Sequence, residues 1–157
     1  MEQLTVTITT IITKNNESDM KKMITPCITS LIISSGVYAA SSKDLVKSTQ
    51  SWNGTELPSI NLQHPQVTIK EITIAPGERL PVHLHPVINA GILLEGKLRV
   101  YSEDRQKVLQ LEAGTEHNNL IEMVNQYHYG VNNGSQPAKI VVFYISEKDG
   151  TVTKLKH

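Results

Sequence analysis

Cysteine is almost missing from this sequence: Cys27 is the only one in 157 residues. Net charge is missing too, since 15 lysines and arginines balance 15 aspartates and glutamates. Aromatic residues make up 4% of the chain and do not cluster, so the electrostatic and stacking footprint of a nucleic-acid-binding protein is absent. Hydrophobic runs are short as well. The most extended, over residues 23–37, falls short of the about 20 residues that a membrane-spanning helix needs, and the polar Ser41-Ser42-Lys43-Asp44 follows it closely. What the chain does have is length enough for one domain with a self-supporting core.

That mostly apolar run reads as the centre of an export signal. Met20-Lys21-Lys22 supplies a positive head and Val37-Tyr38-Ala39 a small-residue cleavage pattern, so residues 20–39 are expected to form a signal-peptide helix cut after Ala39. An ordinary buried N-terminal helix is the alternative; Pro26, Gly36 and the lack of an amphipathic stripe weigh against it. Residues 1–19 then stand before Met20 as an upstream extension without recognisable chemistry. The processed chain, about 118 residues from Ala40, is expected to be periplasmic or secreted, to keep no stable membrane span, and to contain no cysteine. Thiol catalysis, disulfides and thiolate metal ligands are excluded together. All six histidines lie beyond the cut, so any metal site belongs to the exported part.

Residues 40–65 are polar with scattered apolar positions and read as an N-terminal arm, anchored by packing of Trp52 before the turn at Asn53-Gly54; His64 is a loop residue. From residue 66 to 157 short strands alternate with turn signals. Pro76-Gly77, Glu95-Gly96, Ala113-Gly114 and the polar loop 132–137 separate strand-like segments at 67–74, 80–85, 88–94, 98–100, 108–111, 120–124, 127–131 and 138–145. Val67 and Ile69 have the opposite parity to Ile72 and Ile74, which requires a bulge or a change of exposed face near Lys70-Glu71. The pattern predicts an all-β sandwich or barrel, jelly rolls among them.

Within this region His83 and His85 stand one residue apart. On a strand they share a face, and Asn89 joins them if the strand direction survives Pro86. A one-faced cluster of imidazoles is either a metal site or a hydrogen-bonded polar patch. His117 has polar loop neighbours and reads as solvated, whereas Tyr127 and Tyr129 flank His128 and should face away from it. Asn132 reads as a turn-stabilising side chain.

The spacing around the histidine pair resembles the first motif of the cupin family: a glycine, five residues, His-x-His, three or four residues, a glutamate, six residues and a glycine. Gly77, His83, His85 and Gly96 hold those places here, with Asn89 where the family has glutamate. Downstream, His128 followed four positions later by Asn132 is similar to the end of the second cupin motif; Gly114 fits its start, but Met123 and Asn125 occupy the places of its Pro and Gly. The resemblance covers roughly residues 67–146 and implies a cupin-type jelly-roll barrel. It further implies a divalent transition metal (iron, manganese, zinc, nickel or copper) held by His83, His85, His128 and, in place of the family carboxylate, Asn89. A neutral amide would hold the ion less tightly and leave it a stronger Lewis acid. Glu122, six residues before His128 and of matching parity on an unbroken strand, is a candidate compensating carboxylate; a solvated or lysine-paired side chain is the alternative. The family includes dioxygenases, isomerases, decarboxylases and epimerases. The implied function is therefore metal-dependent action on a small-molecule substrate of unnamed chemistry, with non-catalytic, metal-free capture of a small ligand as the other class. Many cupins pair through their sheets, which implies a homodimer.

Overall fold

The structure, a computed structural model of the chain, describes residues 40–157. The export signal at 20–39, the extension before it and Cys27 lie outside the described residues. Among the described residues there is no helix, and so none long and apolar enough to cross a membrane.

The strands, in chain order, are β1 (Pro65–Ile74), β2 (His83–Leu84), β3 (Asn89–Glu95), β4 (Lys97–Ser102), β5 (Val108–Glu112), β6 (Asn119–Ile121), β7 (His128–Val131), β8 (Ala138–Glu147) and β9 (Lys154–Leu155). They form two antiparallel sheets, β1-β8-β3-β6 and β5-β4-β7-β2-β9. Apolar side chains alternate with polar ones along most strands, and the inward set from both sheets merges into one core that includes Ile74, Leu93, Leu98, Leu111, Ile140 and Val142. This is the all-β jelly-roll arrangement that the turn spacing predicts.

Local chemistry explains the joints. Gly96 has φ +76° between β3 and β4, and a Cβ there would sit 2.5 Å from the Pro137 carbonyl oxygen, so only glycine fits. Asn132 is fully buried. Its Nδ2 donates to the carbonyls of Ile74 and Gln136 at 2.9 and 2.8 Å, and its Oδ1 accepts from Gly134 N–H at 2.9 Å, tying the end of β1 to the loop before β8. The sequence reading of Asn132 as a turn residue matches this role.

Four details depart from the sequence reading or resolve its open choices. β1 pairs with β8 over ten residues with no register shift, and its even-numbered residues face inward throughout, so neither a bulge nor a change of face occurs near Lys70; Val67 and Ile69 are apolar residues on the outer face. The segment 80–85 is strand only at His83–Leu84, because Pro81 lacks the N–H a ladder needs. The strand also does not survive Pro86: β2 belongs to the five-stranded sheet and β3, opened by Asn89, to the four-stranded one. Finally, β6 stops at Ile121, and β9 has only two residues, too few for any periodic signal in sequence.

The arm docks along the first of these sheets. Trp52 N–H donates to the Ile121 carbonyl at 2.9 Å and the indole packs, half-buried, against the core, which is the anchoring role its sequence context suggests.

Candidate metal centre

β2 and β7 are hydrogen-bonded neighbours, with His83 directly opposite His128. Opposed residues in an antiparallel pair project to the same face, and His85, two positions beyond His83, projects there too. The three rings meet: centroid separations are 4.6 Å for His83 and His128, 5.0 Å for His83 and His85, and 5.2 Å for His85 and His128. One nitrogen from each ring lies within 4.8 Å of the other two.

The backbone sets which nitrogen is free. Nδ1 of His83 lies 2.8 Å from the Pro81 carbonyl, Nδ1 of His85 lies 2.8 Å from that of Val152, and Nδ1 of His128 lies 2.9 Å from that of Gln126. A carbonyl only accepts, so each Nδ1 carries the proton of the neutral ring and each Nε2 keeps a lone pair. His128 Nε2 is buried with no hydrogen-bond partner. Burial also favours the neutral form of His83 and His85. Desolvation lowers the His85 pKa to about 4, against the opposing pull of the Glu122 charge and the Val152 hydrogen bond. Desolvation likewise lowers that of His83, with His128 adding to the effect. Three neutral imidazoles with converging lone pairs, one of them orphaned, fit a divalent transition metal.

Two further side chains bear on the centre. Glu122, just past the end of β6, is buried, and its Oε2 lies 3.4 Å from His128 Nε2. Trp52 Nε1–H donates to the same Oε2 at 3.3 Å. Among the described residues no lysine or arginine pairs with Glu122, so it is neither solvated nor lysine-paired. Its position does not come from strand parity with His128: it follows β6 of the four-stranded sheet, whereas His128 opens β7 of the five-stranded one. Asn89 is buried at the start of β3 with Oδ1 unpartnered and Nδ2 3.5 Å from the Val87 carbonyl.

The imidazoles open into a cavity of about 230 Å³, below the about 300–1,000 Å³ of sites for drug-sized ligands. Its walls are mostly aliphatic, including Ile72, Val100 and Ile140, and Lys70 stands at an exposed part of its lining. Tyr144 lines it as well. Burial, helped by the Glu122 charge, pushes the Tyr144 hydroxyl up to about 12, so it is a hydrogen-bond donor and not a base near neutral pH.

The remaining candidates lie elsewhere. His117 is exposed, 3.7 Å from Glu116. Tyr129 stacks on Tyr101 at 5.3 Å under the Arg79 guanidinium, away from the imidazoles. Sequence reasoning missed two contributors. The indole N–H of Trp52 reaches the centre from 70 positions away, and the Val152 carbonyl orients His85 from the segment before β9. No local signal marks either.

The fold and site together define a small antiparallel β-barrel with a largely buried three-histidine cluster. The family model described as "Cupin domain" matches residues 70–144, and the chain carries a domain of the cupin family. No curated protein matches the sequence. Among solved structures, the polyketide cyclase RemF from Streptomyces resistomycificus is 18% identical with a TM-score of 0.44, the match covering 52% of this chain and 55% of that one. The DMSP lyase DddQ from Ruegeria pomeroyi is 16% identical with a TM-score of 0.47, covering 57% and 43%. Oxalate decarboxylase from Lactobacillus farciminis is 16% identical with a TM-score of 0.47, covering 57% and 26%. The match thus spans about half or less of these proteins' own lengths.

Proposed function

We propose that the protein binds one divalent transition metal through the Nε2 atoms of His83, His85 and His128 and acts on, or holds, a small molecule in the adjoining cavity. One observation carries the reading: every Nδ1 in the cluster is committed to a main-chain carbonyl, leaving each Nε2 free in a largely buried group of rings whose ligand nitrogens lie within 4.8 Å of one another. The fourth position falls to Asn89 on family spacing and to Glu122 on proximity.

A divalent ion held there would polarise an oxygen of the bound molecule as a Lewis acid. The chain's own residues do the rest. Aliphatic walls favour a largely apolar body and exclude water, and the Tyr144 hydroxyl keeps its proton and can donate to an acceptor on the ligand. Those same walls also suit the second reading, a barrel that captures a small ligand without a metal.

Elemental analysis separates the two. After reconstitution with iron, manganese, zinc, nickel or copper, the protein should retain about one equivalent of a divalent ion, and His83→Ala and His128→Ala should lose it. Equal trace amounts in all three would end the metal reading. Oxygen uptake with candidate substrates then distinguishes an oxygenase from a non-catalytic module.

The same reading places the protein outside the cytoplasm, in the periplasm or the medium. Its support is the pattern of residues 20–39, and a mature N-terminus at Ala40 is the expected finding. It also includes a homodimer. The register sets Val67 beside Ile145 and Ile69 beside Phe143, and all four are exposed, giving a contiguous apolar stripe on the outer face of β1 and β8.

A further inference from the structure

Resting on the three-histidine reading, we propose that Glu122, and not Asn89, supplies the carboxylate of the metal site, moved one strand across the sheet and steered by Trp52. The register makes the argument. β3 and β6 pair Ala90 with Ile121, Gly91 with Leu120 and Ile92 with Asn119. One step further sets Asn89 opposite Glu122, and Glu122 N–H does donate to the Asn89 carbonyl at 3.1 Å. Directly opposed residues share a face with Cβ atoms about 4.5–5.5 Å apart. A carboxylate absent from position 89 is thus restored on the neighbouring strand, at the nearest position that faces the same interior.

Charge and surroundings favour Glu122 over Asn89. A buried carboxylate without a cation is far more costly than an unpaired amide oxygen, so buried charges are paired or bind metal. Glu122 lines the cavity alongside His83, His85 and His128, whereas Asn89 is not part of that wall. Its Oε2 lies 3.4 Å from the orphaned Nε2 of His128, near the space where the lone pairs converge. Three neutral imidazoles leave a divalent ion's full charge uncompensated; one carboxylate halves it.

Trp52 acts through Glu122 and is a positioning residue. Its backbone is fixed to Ile121, the neighbour of Glu122 in sequence, and its indole N–H holds Oε2. Such partners of metal ligands change affinity by about 10–100-fold when removed.

Cobalt(II) alone is the probe. Its binding is read from visible absorption and from quenching of the chain's single tryptophan. Glu122→Gln should weaken cobalt binding by at least about tenfold, the lower end of what even outer-shell partners contribute. Asn89→Ala should stay within about threefold of wild type. Asn89→Glu introduced into Glu122→Gln should recover the affinity, since it returns a carboxylate to the opposed position; recovery also shows that the loss was not misfolding. Trp52→Phe should shift the cobalt absorption spectrum without moving the urea unfolding midpoint of the metal-free protein by an equivalent amount. Glu122→Gln binding as tightly as wild type, or Asn89→Ala costing more than Glu122→Gln, overturns the assignment. If His128→Ala abolishes binding and Glu122→Gln does not, only the carboxylate assignment falls. If wild type takes up no cobalt, the three-histidine reading falls with it.

Discussion

The neutrality of His85 has a direct thermodynamic consequence in the metal-free protein. Its ring is buried against Tyr144, with centroids 5.4 Å apart, and desolvation lowers its pKa from 6.5 to about 4. The unfolded chain therefore takes up this proton first as pH falls. Stability contributed by the neutral ring is fully present above pH 6.5, declines between 6.5 and about 4, and is lost below that, where both states are protonated. At about 1.36 kcal/mol per unit the whole effect is about 3 kcal/mol, a large share of the about 5–15 kcal/mol that holds a domain together. The assay is urea unfolding of metal-free protein across this range, compared with His85→Asn, whose amide can still donate to the Val152 carbonyl. Wild type should lose about 3 kcal/mol more than the variant between pH 7 and 4. Parallel curves would refute the reasoning, because shared carboxylate titrations cancel in the difference. The same depression bears on the metal: protons compete for the His83 and His85 nitrogens at lower pH than for free imidazole, so these two ligands should hold the ion below pH 6.5.

Other expectations follow from packing and from the outer sheet. Asn132→Ala orphans two carbonyls and one N–H around a fully buried side chain, and at about 1–3 kcal/mol per orphaned group the loss should be about 3 kcal/mol or more by urea denaturation. A loss under about 1 kcal/mol would mean that water or relaxation satisfies those groups. Ile69→Glu and Phe143→Glu place charge on the apolar stripe of β1 and β8, and should convert a dimer to a monomer in light scattering with unchanged circular dichroism. A wild-type protein that is already monomeric removes the dimer.

The strand and turn pattern carried most of the fold because the signals that specify it are local. Gly96 and the alternation along β8 are each visible within a few residues. The errors lie where a local signal is weak or shared between neighbours. Pro81 and Pro86 sit on either side of the histidine pair and cut a six-residue segment to a two-residue strand. Two-residue β9 has no period to detect, yet its approach supplies the carbonyl that fixes His85. Val67 and Ile69 were legible as a parity conflict, and its resolution, one inward face with both side chains left exposed, depends on the unbroken pairing with β8, which one strand cannot reveal.

The centre itself was legible for a different reason than its assembly. His83, His85 and His128 are found by spacing, but they meet because β2 and β7 are paired, a long-range fact that no parity count across Pro86 supplies. Asn89 shows the consequence. Counting along one strand puts it on the face of the histidines; the ladder sets it opposite Glu122, a partner that no count along its own strand supplies. A motif records which positions a fold requires along the chain, whereas an ion responds to charge in space, and in an antiparallel sheet the nearest substitute position lies across the ladder. Under the assignment proposed for Glu122, a carboxylate missing at position 89 is sought at the position directly opposed to it.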